Sequence, residues 1–200
     1  MKAPFEEPPG ATLLDPDEME GLKFKHVTTR GELDELEQAN VESGLLWLSR
    51  QRKLNVLTEG FALKLHQQLF GGVWHWAGTF RKTEKNIGID PLYISVELRK
   101  LLDDARYWAG HKTYAPVEAA ARFHHRLVSI HLFANGNGRH ARIMADAMLD
   151  WVYATPPIDW AGGQNLQVFN DRRTHYIHAL RAADRGDINP ILVFVGAGNK

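Results

Sequence analysis

His131-Leu132-Phe133-Ala134-Asn135-Gly136-Asn137-Gly138-Arg139-His140-Ala141-Arg142 decides how this 200-residue chain is read. Upstream, Val117, Ala120, Phe123, Leu127 and Ile130 recur at the three-and-four spacing of a core-facing helix, and downstream Ile143, Met144, Ala147, Met148 and Trp151 do the same. The twelve residues therefore form a short polar loop between two mostly buried helices and open into the N-terminus of the second.

That placement has chemical meaning. The first N–H groups of a helix lack internal acceptors and lie at the positive end of its dipole, so they suit an anion. Gly136 and Gly138 let a bound group approach the backbone. Arg139 and Arg142, three apart, share a face and offer guanidinium forks to phosphate. His131 is a proton acceptor near neutral pH. A base beside a polyphosphate cradle reads as phosphoryl or nucleotidyl transfer, whereas a plain helix-to-helix turn does not need two arginines and a histidine at this spacing.

Composition fits one domain with a sizeable core: 44% of residues are hydrophobic, and 24 basic residues balance 24 acidic ones. A zero net charge gives no overall field to recruit nucleic acid or a membrane. No apolar run has the ~18–20 residues of a membrane span. The acidic, Pro-rich start argues against a signal peptide. The absence of cysteine excludes disulfides, a thiol nucleophile and a Cys-based zinc site, and agrees with a cytoplasmic location.

Met1 to Lys25 holds four of the nine prolines, and residues 1–28 read as an extended arm with Phe5, Leu13, Leu14, Met19, Leu22 and Phe24 as anchors. Residues 29–55 read as an N-terminal helix opened by the capping box Thr29-x-x-Glu32, with Leu33, Leu36, Trp47 and Leu48 inward. Residues 56–200 read as the catalytic domain. Within it, Thr58 to Phe70 is a helix stopped by Gly71-Gly72, and Trp74 and Trp76 are core aromatics. Arg81 to Ile94, with alternating Ile87 and Ile89 among turn residues, is expected to be a β-hairpin. A helix from Val96 to His111 follows, Pro116 sits in a first turn, and further helices start near Asn170 or Asp171 and at Asn189-Pro190. Six to eight helices with short connections make an all-α fold.

His131-x-Phe133-x-x-Gly136-Asn137-Gly138-Arg139-x-x-Arg142 resembles the signature of Fic (Fido) domain proteins, H-P-F-x-[D/E]-G-N-G-R-x-x-R. The resemblance runs from about Thr58 to the C-terminus. Pro8-Pro9-Gly10-Ala11-Thr12, Asp15-Pro16-Asp17-Glu18 and the Asn-Gly-Asn-Gly-Arg-His run are similar to the bacterial "mobile mystery protein B" branch. The resemblance implies a single helical bundle with a small β-hairpin flap over the active site. The implied activity moves AMP, or another nucleoside monophosphate, from Mg-ATP to a hydroxyl of a target protein. In it, Asn135 to Arg139 and Arg142 hold the nucleotide, with side-chain contacts from Asn137 and Arg139. His131 deprotonates the Ser, Thr or Tyr hydroxyl, and Tyr176 lies near the adenine. The flap residues Lys82, Lys85, Asn86 and Ile87 touch the target or phosphate. Phe133 anchors the loop.

Two positions depart from the signature. Leu132 replaces proline, which bears on loop stiffness. Asn135 stands where the Mg²⁺-binding Asp or Glu is usual, and a neutral amide oxygen attracts Mg²⁺ weakly. Many such proteins also carry an inhibitory helix whose Glu pairs with the second motif arginine. None of Glu32, Glu35, Glu37 and Glu42 sits in the usual inhibitory pattern, and Glu37 is the preferred candidate, so Glu37→Gly is expected to raise auto-modification. The branch implies a neighbouring helix-turn-helix partner, and a homodimer is open. Other classes remain: a catalytically weak nucleotide-binding regulatory module, γ-phosphoryl transfer as in Doc-like relatives, and a metal hydrolase built on His124, His125, His131 and His140, for which no H-E-x-x-H spacing exists.

Overall fold

The computed structural model describes residues 14–162 and 170–198. Its elements are α1 (Pro16–Met19), α2 (Arg30–Ser49), α3 (Glu59–Phe70), a 3₁₀ turn at Pro91–Tyr93, α4 (Ile94–His111), α5 (Pro116–Ile130), α6 (Asn137–Tyr153), α7 (Asp171–Asp184) and α8 (Asn189–Phe194). The fold is all-α, as the periodicity predicts. Among the described residues strand-like pairing amounts to one antiparallel bridge, Leu22 with Trp74.

Local signals place the helix ends. Thr29 accepts a hydrogen bond from Glu32 N–H, and the Glu32 carboxylate returns to the Thr29 N–H at 3.1 Å, closing the capping box. Thr58 caps α3 through Phe61 N–H at 3.2 Å, and Asn170 caps α7 through Arg173 N–H at 2.8 Å. Pro116 and Pro190 occupy first-turn positions.

The motif-bearing pair α5–α6 lies at the centre, with α4 against α5 and α3 against α2. Phe123, Leu127, Phe133, Met144 and Met148 bury with Leu65, Leu69 and Leu98 in one cluster. Leu33 and Val41 of α2 belong to that cluster, so residues 29–55 are built into the body rather than appended to it. Trp74 is 1% exposed and Trp76 packs against the same core, as expected of both.

Of the arm, residues 1–13, with the anchors Phe5 and Leu13, lie outside the described residues, as do 163–169 in the connection after α6. Residues 14–28 lie on the body. Leu22 is buried, Leu14, Met19 and Phe24 pack against the core, Lys23 N–H reaches Val73 O at 2.9 Å, and His75 N–H reaches Gly21 O at 2.9 Å.

The hairpin expected over Arg81 to Ile94 is not formed. Residues 81–90 run as an irregular loop into the 3₁₀ turn, and α4 starts at Ile94, two residues earlier than the periodicity suggests. The physical reason is Arg81. Its guanidinium bonds to Thr83 O at 2.8 Å and to Ile89 O, on the two limbs of the would-be hairpin, while Nε donates to His131 O at 2.6 Å. Carbonyls that a ladder would pair are thus taken by one side chain. Gly88, at φ +112°, seats the loop on the motif, since a Cβ there would lie 2.6 Å from His131 Cβ.

Candidate active site

His131 ends α5 in the left-handed conformation, φ 58° and ψ 69°, an uncommon state for a residue with a Cβ. The residue is 4% exposed. Burial, with the nearby Arg81 charge, lowers its pKa to about 4, while a hydrogen bond to the Val128 backbone works the other way. The imidazole is therefore neutral at pH 7 and has a lone pair to accept a proton.

The loop that follows is held from within. Asn137 Oδ1 accepts from Phe133 N–H at 2.9 Å and its Nδ2 donates to Phe133 O at 2.7 Å. This side chain braces the loop instead of reaching phosphate, which corrects the contact expected of it; its backbone N–H remains a first-turn donor. Gly136 has φ +77°, and a Cβ there would stand 2.6 Å from the Phe70 ring, so glycine is required on both counts. His66, fully buried on α3, bonds to Asn135 O at 3.1 Å, accepts from Gly78 N–H at 3.0 Å and stacks on Phe133 with centroids 3.6 Å apart. Nothing in the sequence singled His66 out, because its role depends on an approach between residues far apart in the chain.

Asn135 is committed as well. Its Oδ1 accepts from Gly136 N–H at 2.6 Å and its Nδ2 lies 3.4 Å from Glu37 Oε1. Mg²⁺ prefers carboxylate and phosphate oxygens in octahedral array. The amide oxygen at the signature's metal position is turned to the backbone, and Glu37, the neighbouring carboxylate, is engaged with Arg139 and Trp74. These residues do not make a protein-built Mg²⁺ site.

Glu37 is 0% exposed and pairs with Arg139, while its Oε1 takes Trp74 Nε1–H at 2.7 Å. The Arg139 guanidinium also stacks over Phe70, 4.7 Å from the ring centroid. Two features separate this from the expected inhibitory contact. The partner is the first motif arginine, and the carboxylate lies behind the cavity without lining it. Arg142 instead packs over Tyr176, 5.5 Å from its centroid, and hydrogen bonds to it, while His124 Nε2 meets the Tyr176 hydroxyl at 2.9 Å.

A cavity of about 530 Å³ opens in front of these groups, a size suited to a nucleotide. His131, Gly138, Arg139 and Arg142 form its floor, and Asn86, Ile87 and Gly88 form one wall. Val128, Ile177 and Leu180 give an apolar face beside Tyr176, with Asp184 at its far end bonded to His125 at 2.8 Å and Ser129 at 3.2 Å. Arg30, Arg173 and Arg181 join the two motif arginines around it, so a chain of zero net charge has concentrated cations at one hollow. Burial lowers the pKa of Arg173, and Arg142 adds to this. Lys82 is exposed and does not line the cavity, and Lys85 is turned away. The four histidines of the hydrolase reading disperse. His140 bonds to Ala62 O at 2.9 Å, His124 to Tyr176 and His125 to Asp184, and among the described residues no group of three metal-binding side chains forms.

Residues 56–149 match the family model described as Fic/DOC family. Those residues are a Fic domain. The protein adenylyltransferase Fic of Drosophila grimshawi is 30% identical over 137 residues, 66% of this chain and 26% of its own length; that of Drosophila melanogaster is 30% identical over the same extent. The chain thus spans about a quarter of these curated relatives. Among solved structures, Fic-1 (residues 134–508) of C. elegans superposes with a TM-score of 0.65 at 24% identity, over 81% of this chain and 47% of that one. BepC of Bartonella tribocorum, solved with bound AMPPNP, superposes at 0.70 with 17% identity, over 93% and 100%. At these identities the superpositions establish the fold. Among the described residues no helix is long and apolar enough to cross a membrane.

The buried histidines also set a pH limit on stability. Burial lowers His131 and His140 to about 4, His124 to about 3, and His66 well below its ordinary value. Folded pKa values below the unfolded 6.5 mean that the unfolded chain binds more protons as pH falls. The contribution is complete above about 6.5 and lost toward about 4. Asp146, raised to about 6 by burial, opposes one of the four. Each net group is worth ~1.4 kcal/mol per pH unit within that window. The thermal midpoint should therefore drop steeply between pH 6 and 4.5, and one that stays level from pH 7 to 5 would show that these imidazoles are not held neutral.

Proposed function

We propose that this chain transfers a nucleoside monophosphate, AMP foremost, from a nucleoside triphosphate to a hydroxyl of a protein. The observation that carries the reading is a neutral, buried imidazole on the same cavity floor as the first-turn amides of α6 and two guanidiniums. The curated relatives' name, protein adenylyltransferase, supports the choice of AMP over phosphate as the transferred group.

In the proposed reaction the triphosphate lies against the N–H groups of Asn137, Gly138 and Arg139, with Arg139 and Arg142 beside it. A target Ser, Thr or Tyr hydroxyl enters the cavity beside His131, along the 86–88 wall. His131 takes its proton as the oxygen attacks the α-phosphorus, the bond to the bridging oxygen breaks, and pyrophosphate leaves with its charge met by the arginines. A positioned base contributes ~10²–10⁴-fold, and the fixed amides and guanidiniums stabilise the charge that develops on the phosphates. The apolar face of Val128, Ile177 and Leu180 is the place for the nucleobase, next to Tyr176.

The test is incubation with ATP labelled at the α- or the γ-phosphate, magnesium and a bacterial lysate. Protein-bound label from the α-position alone is expected. Label from the γ-position alone would replace this reading with phosphoryl transfer.

A further inference from the structure

Lys85 sits in the loop over the site, yet its ammonium turns from the cavity to the arm. It bonds to Asp15 Oδ2 at 2.9 Å and to Glu18 Oε2, with its side chain 2% exposed. Thr83 Oγ1 donates to Glu18 Oε1 at 3.1 Å, so both loop residues meet the same short helix α1. That helix is tied down in turn. Glu18 O accepts from Trp76 Nε1–H at 2.9 Å, and Trp76 stacks on buried Trp74 with centroids 4.8 Å apart. On the loop's other side, the next three residues, Asn86 to Gly88, form the cavity wall, with Gly88 against His131. A continuous set of contacts thus runs from the core through the arm to the wall in front of the base.

We propose that Asp15 and Glu18, acting through Lys85, are positioning residues that fix the 83–89 loop over His131 and thereby the approach of the acceptor hydroxyl. A buried ammonium left without its carboxylates cannot stay where it is without a large desolvation penalty, so the loop must move when they are removed. No arm residue lines the cavity, and the phosphates are placed on the α6 amides, Arg139 and Arg142, away from the 86–88 wall. The clamp therefore acts on transfer far more than on nucleotide binding. Its activity readout rests on the transfer reading above; its structural readout does not.

Lys85→Met, Lys85→Arg and the double variant Asp15→Asn/Glu18→Gln separate these effects. In Lys85→Met and the double variant, backbone NMR order parameters over 83–89 should fall from about 0.85 to below about 0.6 while α5 and α6 stay rigid. Dissociation constants for fluorescent mant-ATP should stay within about twofold, and kcat for α-label transfer to lysate proteins should fall about tenfold at unchanged KM for ATP. Lys85→Arg should keep most of the order. Combining Lys85→Met with the double variant should add little, since the loop's other tie to α1 is the exposed Thr83–Glu18 contact. Unchanged order parameters in 83–89, an equal fall across α5 and α6, or nucleotide binding weakened in step with transfer would each overturn the clamp. A wild type that transfers no label, with loop order lost in these variants, refutes the transfer reading and upholds the clamp.

Discussion

Glu37→Gln is expected to destabilise the protein by about 3–5 kcal/mol, the usual consequence of removing one partner from a buried ion pair. In a chain of this size that lowers the thermal midpoint by about 10 °C. Arg139 would be left beneath the loop with Phe70 and no carboxylate, and Trp74 Nε1–H would face a weaker acceptor. Transfer measured at 10 °C, where the variant remains folded, should fall about tenfold because Arg139 no longer holds one orientation toward the phosphates. The helix position of Glu37 first suggests an inhibitor, for which loss of the carboxylate raises labelling. Its burial behind the cavity and its pairing with the first motif arginine argue for a brace. Calorimetry and α-label transfer on the same preparation decide between them: a stable variant with increased labelling would restore inhibition.

His131→Asn is expected to lower transfer by ~10²–10⁴-fold, the range of a positioned general base, with mant-ATP binding unchanged. Asparagine is the better probe than alanine because it tolerates the left-handed backbone at this position. The wild-type rate should also carry a displaced acid limb. Only the neutral imidazole accepts a proton, and its pKa is lowered to about 4, so the base form persists well below pH 6.5. A limb at the ordinary 6.5 would mean that substrate binding re-solvates the ring. Loss of mant-ATP binding in His131→Asn would move His131 from base to nucleotide ligand.

The two flanking helices, the cap at Thr29, and the loop that couples a histidine to two arginines were legible because each depends on residues close in sequence. The roles inside that loop were not. Through the resemblance Asn135 and Asn137 read as ligand contacts, yet the Asn137 amide and the Asn135 amide oxygen are spent on backbone groups, a choice set by the tightness of the turn. Lys85 read as a phosphate or target contact and is an arm anchor, since its partners stand some seventy residues upstream. The hairpin failed for a similar reason: the pattern of Ile87 and Ile89 suits a strand, but Arg81 takes the carbonyls that pairing needs. Pairings of this kind between distant residues carry no periodic signal.

The central claim is that His131 moves a nucleoside monophosphate onto a hydroxyl, and intact-mass spectrometry of labelled protein tests it most directly. After incubation with ATP, wild type should leave a modified protein heavier by one AMP, mapped to a Ser, Thr or Tyr, and His131→Asn should leave none. A mass gain of one phosphate, or an AMP adduct equally abundant with His131→Asn, would contradict it.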